Sequence, residues 1–340
     1  MGRTTEVDTR ATLLADWIAS TLSTRAFTMT PASADASFRR YFRITPDDAA
    51  FGERTLIAMD APPPNEDCRP FVHVARLLLD AGLNAPRILA EDLDRGFLLV
   101  TDLGATTYLS ALNAGNANEL FDAATTAIVR WQLATREGAL PPYDRALLRR
   151  ELELFPDWYI AVHLRTTLDS NERESLTRVF ETLIDDHLAQ PQVFVHRDYM
   201  PRNLMVTSRN PGILDFQDAV VGPVSYDVVS LFKDAFISWP EEAVLDWTIR
   251  YWEKARRAGI PVDPDFAAFF RAFEWMGLQR HLKVLGIFAR IAHRDGKPAY
   301  VKDTPRFLDY SRPVAQRYRE LAPLARLLDR LERADAISAR

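Results

Sequence analysis

The stretch Val195-His196-Arg197-Asp198-Tyr199-Met200-Pro201-Arg202-Asn203-Leu204-Met205 decides how this chain is read. Two apolar, strand-like runs, Val193-Phe194-Val195 and Leu204-Met205-Val206, bracket a polar loop in which an acid, Asp198, and an amide, Asn203, stand five positions apart. Twelve positions beyond Asn203 comes Asp215, within Ile213-Leu214-Asp215-Phe216-Gln217-Asp218. The order is His-x-Asp-x-x-x-x-Asn, then an Asp on a short hairpin. These residue types suit phosphoryl transfer from ATP. Magnesium prefers oxygen ligands, and Asn203 offers an amide oxygen and Asp215 a carboxylate. Asp198 would accept a hydrogen bond from the attacking hydroxyl and take its proton, a role worth about 10²–10⁴-fold in rate. Positioning and metal charge supply most of the rest. The bland alternative is that Asp198 caps a turn and Asn203 satisfies loop backbone. The ordered three-part pattern favours the chemical reading. His196 is expected to be a buried support for the loop.

Outward from the loop, the first hundred residues read as helix, two strands, helix, two strands. Leu14, Trp17, Ile18 and Leu22 share a helix face. Polar Ser/Thr/Pro-rich chain follows over residues 23–37. The strands are expected at Arg40–Ile44 and Thr55–Met59, then at Pro86–Leu89 and Gly96–Val100. Between these pairs Phe71, Val74, Ala75, Leu78 and Leu79 recur at helical spacing, with Gly82 as a stop. This is an antiparallel α+β pattern. A hinge is placed at Thr101-Asp102-Leu103-Gly104, giving an N-terminal lobe over 1–102 and a C-terminal lobe over 103–340. The second part reads as mainly helical, with long helices around 241–258, 265–293 and 314–334 and the short β insertion that carries the loop.

Composition excludes several classes. The chain has 340 residues, 47% hydrophobic and 26% charged, which is globular composition with ample core. Lys and Arg number 42 against 47 Asp and Glu, a net charge of −5, so a basic nucleic-acid binder is not expected. One cysteine, Cys68, allows no internal disulfide and no cysteine-rich zinc site. No segment approaches the ~20 apolar residues of a membrane span. Residues 1–8 lack the apolar core of a secretory signal, and Glu6 breaks the myristoylation pattern. The expectation is a cytoplasmic protein without membrane or nucleic-acid partners; oligomeric state is left open. The six histidines include no i, i+4 pair of the metal-binding kind.

The loop, the Asp215 strand and the later Gly222-Pro223-Val224-Ser225-Tyr226-Asp227 resemble the aminoglycoside phosphotransferase/choline kinase family over about residues 30–290. The resemblance implies a bilobal, protein-kinase-like α+β fold: a small antiparallel-sheet N-lobe and a larger, mostly helical C-lobe. It implies ATP and Mg2+ as cofactors and a bracing role for Asp227. It also implies an adenine site against hinge backbone at Thr101, Asp102 and Leu103. A narrower similarity, to the bacterial anomeric kinases of N-acetylmuramate and N-acetylglucosamine, lies in four stretches: residues 33–43, 58–63, 196–205 and Trp275–Phe288. That similarity implies phosphorylation of the C1 hydroxyl of a small-molecule sugar, whose product feeds UDP-sugar synthesis in peptidoglycan recycling.

The pattern also departs from the protein-kinase layout. The turn that would cover the phosphates is Ala32-Ser33-Ala34-Asp35-Ala36-Ser37, without the glycine motif; small residues there still let backbone N–H groups approach an anion. Ser33, Asp35 and Ser37 are the candidates. The strand Leu56-Ile57-Ala58-Met59-Asp60 has no lysine for the phosphates. Either the site works without that charge, or Arg39, Arg40 or Arg43 supplies it from the neighbouring strand; Arg43 is preferred, and reads equally as an exposed strand arginine. The glutamate partner of such a lysine is then in doubt too. Glu66 stands near that helix start, where it also reads as a first-turn charge. For the acceptor, whose muramate form carries a lactyl carboxylate and an acetamido group, the candidates are Arg197, Arg202, Arg280, His281 and Lys283. Arg197 reads equally as a loop salt bridge, and Arg280 and Lys283 as a solvated basic face. Trp158, Tyr159 and Trp239 could stack on a sugar or pack in the core.

Within the same reaction class the alternative acceptors are an aminoglycoside, choline or homoserine. The rival from another class is a nucleotide-binding pseudokinase, favoured by the missing lysine and opposed by the complete Asp198–Asn203–Asp215 set.

Overall fold

The computed structural model describes residues 8–33 and 38–338. The chain forms two compact units, Met1–Thr106 with Met205–Asp218, and Thr107–Leu204 with Ala219–Arg340. The division is therefore not a single cut at 102/103: residues 205–218, Asp215 among them, belong with the sheet unit. No helix among the described residues is long and apolar enough to cross a membrane.

The first unit opens with α1 (Thr9–Leu22), whose first turn is capped by the Asp8 carboxylate accepting the Ala11 N–H at 3.0 Å. The strands β1 (Phe27–Ser33), β2 (Arg40–Pro46) and β3 (Leu56–Asp60) precede α2 (Arg69–Asp80). The strands β4 (Ile88–Asp92) and β5 (Phe97–Thr101) follow it. All pair antiparallel in the order β1-β2-β3-β5-β4. Alternation puts Ile44, Leu56, Ala58, Phe97 and Leu99 on one face, against Leu14, Trp17 and Ile18 of α1. The turn into β5 needs Gly96: its φ is +74°, and a Cβ there would lie 1.9 Å from the Ala61 carbonyl oxygen.

β1 lies where polar loop was expected. It is an edge strand with Pro31 inside it and a register break between Pro31 and Ser33. A proline without an N–H is tolerated at an edge, so the residue that argued against a strand marks its position in the sheet.

The second unit is mostly helical. It contains α3 (Tyr108–Ala111), α4 (Ala117–Leu133) and α5 (Arg145–Leu154), which runs on as a π-helix over Phe155–His163, then α6 (Ser170–Ala189). The strand β6 (Gln192–Val195) pairs antiparallel with β9 (Val220–Pro223). Between them lie a 3-10 turn, Pro201–Asn203, and the hairpin of β7 (Leu204–Met205) and β8 (Gly212–Ile213), where the chain passes into the first unit. The helices α7 (Tyr226–Phe232), α8 (Glu241–Ala258), α9 (Phe266–Arg294), α10 (Thr304–Arg317) and α11 (Ala322–Ser338) complete it.

Helix α9 is the axis of this unit. Its 29 residues span about 44 Å at the usual rise, and from Phe273 to Gly286 every residue except Lys283 is buried. Gly286 lets it cross the chain at the end of α5, since a Cβ would come within 2.3 Å of the Leu154 backbone. The single helix expected over 314–334 is two helices. Tyr318 is extended (φ −113°, ψ 126°), and Pro323 falls in the first turn of α11, where its missing N–H costs nothing.

Candidate active site

β6 delivers the chain to the loop, and a buried acid holds it there. Arg197 has φ +75°, unusual for a residue with a side chain. The Asp227 carboxylate, in the first turn of α7, accepts the N–H of His196 at 2.8 Å and of Arg197 at 3.1 Å. Asp227 is 1% exposed. Burial pushes its pKa up to about 7, against the pull of those two N–H donors. His196 is buried, and its Nδ1 accepts the Asp198 N–H at 3.3 Å, which leaves the proton of the neutral ring on Nε2. The Asn203 Nδ2 donates to the Asp198 carbonyl at 2.9 Å, turning the amide oxygen away from that carbonyl. The Tyr199 hydroxyl donates to the Ala124 carbonyl at 3.0 Å, fastening the loop to α4. The backbone around Asp198 is thus fixed at every step. The half-buried Asp198 carboxylate itself makes no hydrogen bond or ion pair among the described residues of its unit.

Arg197 and Lys283 are brought together on one carboxylate. Glu151 of α5 forms an ion pair with the Arg197 guanidinium through Oε1, and Lys283 Nζ lies 3.0 Å from the same oxygen. The Tyr143 hydroxyl bonds the other oxygen, and Gln279 approaches it at 3.4 Å. Lys283 also reaches the Tyr226 hydroxyl at 3.2 Å. Burial works to neutralise Glu151, yet Lys283, Arg197 and Tyr143 outweigh it and hold its pKa below the ordinary value. Arg280 is buried, 2% exposed, and its charge lowers the pKa of Asp227 and Asp234 against their burial. The solvated basic face considered for Arg280 and Lys283 is therefore absent. Arg202 is exposed, with its guanidinium 5.1 Å from the centre of the Phe236 ring.

In the first unit, Asp215 also has a positive φ, +62°, and its Oδ1 accepts from Gln217 Nε2 at 3.0 Å. Each unit thus has a backbone outlier at a residue expected to take part in the chemistry, and such strain persists where surrounding contacts over-determine it. Arg43, expected on the phosphates, is otherwise engaged. It forks onto Asp102, Nε to Oδ2 at 2.6 Å and Nη2 to Oδ1 at 3.2 Å, and donates to the Gly104 carbonyl at 3.0 Å. Burial raises the pKa of Asp102, but Arg43, the Gly104 N–H and Thr55 overcome this and lower it. Arg43 and Asp102 thereby brace the 101–104 segment. Thr101 is tied to Arg87 by two hydrogen bonds, and Leu103 packs against Gly212.

Arg40 is likewise committed, to Asp60 and Asp8. Arg39 differs. It pairs with Glu66 at 3.3 Å. Burial opposes its charge, but Tyr41, Glu66, Asp215 and Asp218 together hold its pKa above the ordinary arginine value. The two partners left open by the sequence, Arg39 and Glu66, are the ones the fold brings together beside Asp215. Ser33 is the last residue of β1, while Asp35 and Ser37 lie outside the described residues.

The donor chemistry fits a hard divalent cation. Asn203 and Asp215 offer oxygen only, and among the described residues no group of three or more His, Cys, Asp or Glu could hold a metal. Each of the two, taken in its own unit, is an oxygen donor of the kind magnesium takes beside waters and substrate phosphate oxygens.

The sequence model of the phosphotransferase enzyme family matches residues 28–270. The chain belongs to the phosphotransferase enzyme family. It is 58% identical over 298 residues to the N-acetylmuramate/N-acetylglucosamine kinase of Pseudomonas aeruginosa, covering 88% of this chain and 87% of that one. It is 49% identical over 319 residues to the protein of the same name in Neisseria meningitidis serogroup B, covering 93% and 94%. Among solved structures, amicoumacin kinase hAmiN in complex with AMP-PNP, Ca2+ and Ami superposes with a TM-score of 0.61 at 15% identity, covering 90% of this chain and 94% of that one. The fold of this phosphotransferase is accordingly the protein-kinase-like α+β fold, and the chain is an enzyme.

Sequence reasoning missed Glu151 and the Arg39–Glu66 pairing. Glu151 carries no motif. Its only local sign is a lone acid between apolar residues, Leu148 and Leu152, on a helix face.

Proposed function

We propose that this phosphotransferase transfers the γ-phosphoryl group of ATP to the anomeric hydroxyl of N-acetylmuramate or N-acetylglucosamine. The observation that carries the reading is the identity of 58% and 49%, over about nine tenths of each chain, to kinases named for those two sugars. Asp198 takes the proton of the C1 hydroxyl as the new O–P bond forms and the bond from the γ-phosphorus to the ADP oxygen breaks. Its carboxylate, without a hydrogen bond or ion pair among the described residues of its unit, on a loop held by Asp227, Asn203 and Tyr199, supports that role. Asn203 and Asp215 would hold magnesium, which when bound neutralises charge on the phosphate oxygens. The Ser33–Arg43 region would cover the phosphates, with Arg39 rather than Arg43 as the cation and Glu66 as its positioning partner. Backbone at Thr101–Leu103, braced by Arg43, takes the adenine. The AMP-PNP and Ca2+ in the amicoumacin kinase complex support a nucleoside triphosphate with a divalent cation. The product, a sugar 1-phosphate made in the cytoplasm, is a precursor for UDP-sugar synthesis.

Phosphorus NMR of the product tests this. With ATP, Mg2+ and either sugar, the reading predicts a new phosphate resonance coupled to the anomeric proton. A 6-phosphate, or ADP release only with choline, homoserine or an aminoglycoside, overturns it.

A further inference from the structure

The second unit contains a cavity of about 510 Å³, within the range of small-molecule sites. Its walls include Lys233, Trp239, Glu241, Glu274, Tyr310 and Arg317. Lys233 directly follows α7, the helix whose Asp227 braces the loop and whose Ser230 hydroxyl lies 3.4 Å from the Arg197 carbonyl. Arg202 of the loop stacks on Phe236, three positions beyond Lys233. The segment that lines this side of the cavity is therefore tied, through α7 and Phe236, to the loop that carries Asp198.

The charges inside are unevenly spent. Arg317 bridges Glu274 and Glu241, the latter at 2.8 Å, and the Tyr318 hydroxyl donates to Glu274 at 2.6 Å. Both carboxylates that face Lys233 are thus already taken. The Lys233 ammonium lies over the Phe273 and Tyr310 rings, at 5.7 and 6.0 Å from their centres, with no ion pair or hydrogen bond among the described residues. Burial lowers its pKa, with Glu274 and Glu241 acting the other way. Lys233 is half-buried and the carboxylates that face it are paired with Arg317, so an arriving carboxylate would gain a charge-assisted contact with it. The Trp239 indole N–H is a second donor without a partner among the described residues. The Trp239 and Tyr310 rings supply apolar faces of the kind that pack on a sugar. Over the whole lining, four cations meet four carboxylates, so nothing in the cavity favours a polycationic acceptor.

We infer that this cavity takes the acid-bearing arm of the acceptor, and that Lys233 reads the lactyl carboxylate that N-acetylmuramate has and N-acetylglucosamine lacks. The assignment rests on the sugar-kinase reading and makes Lys233 a specificity residue within it.

Calorimetric titration of both sugars into wild-type protein and Lys233→Met tests it, alongside the same sugars as substrates. A charge-assisted contact of this kind predicts that the preference for muramate over glucosamine, read as the ratio of Kd and of kcat/KM values, falls about 10- to 100-fold in the variant. Wild-type protein should bind the methyl amide of N-acetylmuramate more weakly than the acid by a similar factor. That comparison decides the matter alone if the variant does not fold. An unchanged ratio, an equal loss for both sugars, or equal affinity for acid and amide overturns the assignment while the kinase reading stands. Wild-type protein that binds and phosphorylates neither sugar overturns both.

Discussion

Glu151 is buried, yet it holds two cations, Arg197 and Lys283, and two neutral donors. Removing one partner of a buried pair leaves the other charges uncompensated, which costs about 3–5 kcal/mol. Glu151→Ala is expected to lose stability in that range in urea titrations, and Glu151→Ala combined with Lys283→Met to lose less than the sum of the two single changes. Strict additivity would show that the charges are independent. At this scale, the sequence revealed the groups whose partners are close in the chain. Asp198, Asn203 and Asp215 stood out because they fall in order within eighteen positions. Glu151 did not, because Arg197 is 46 positions away and Gln279 is 128. Strand alternation put Arg39 and Arg43 on one face and Arg40 on the other, and gave no ground for the preference for Arg43 over Arg39. Only the acids across from them, Glu66, Asp60 and Asp102, separate their roles.

Among the elements, α9 depends most on one residue. Gly286→Ala should gain about 1 kcal/mol of helix propensity. The new methyl, however, meets the Leu154 backbone at 2.3 Å, where neither side is a flexible side-chain end. Overpacking of this kind costs about 1–3 kcal/mol. The expected result is a lower melting temperature in thermal unfolding; a higher one would mean that α9 can move off α5. Elements with a clean period were legible: α1, α2, β2, β3, β5 and most of α9. The failures have separate causes. β1 was hidden by a Ser/Thr-rich composition and by Pro31, both compatible with an edge. The division between α10 and α11 was hidden by apolar spacing that runs through Tyr318. The π-helix at 155–163 has no separate sequence period, and its place follows from packing against α9.

For the whole molecule, the candidate groups are divided between two units: Asp198, Asn203 and Lys233 belong to the second, Arg39, Glu66 and Asp215 to the first. The loop is fixed by its own unit through Asp227, Asn203 and Tyr199. The Asp198 carboxylate can therefore be removed without releasing the backbone around it. The most direct test of the account is the rate of ADP release from ATP with N-acetylmuramate, measured for wild-type protein and Asp198→Ala together with ATP affinity and melting temperature. The account predicts a fall in kcat of about 10²–10⁴-fold, with ATP affinity and melting temperature close to wild type. A variant that keeps kcat within a few-fold of wild type would show that another group deprotonates the acceptor, and would contradict the role given to this loop.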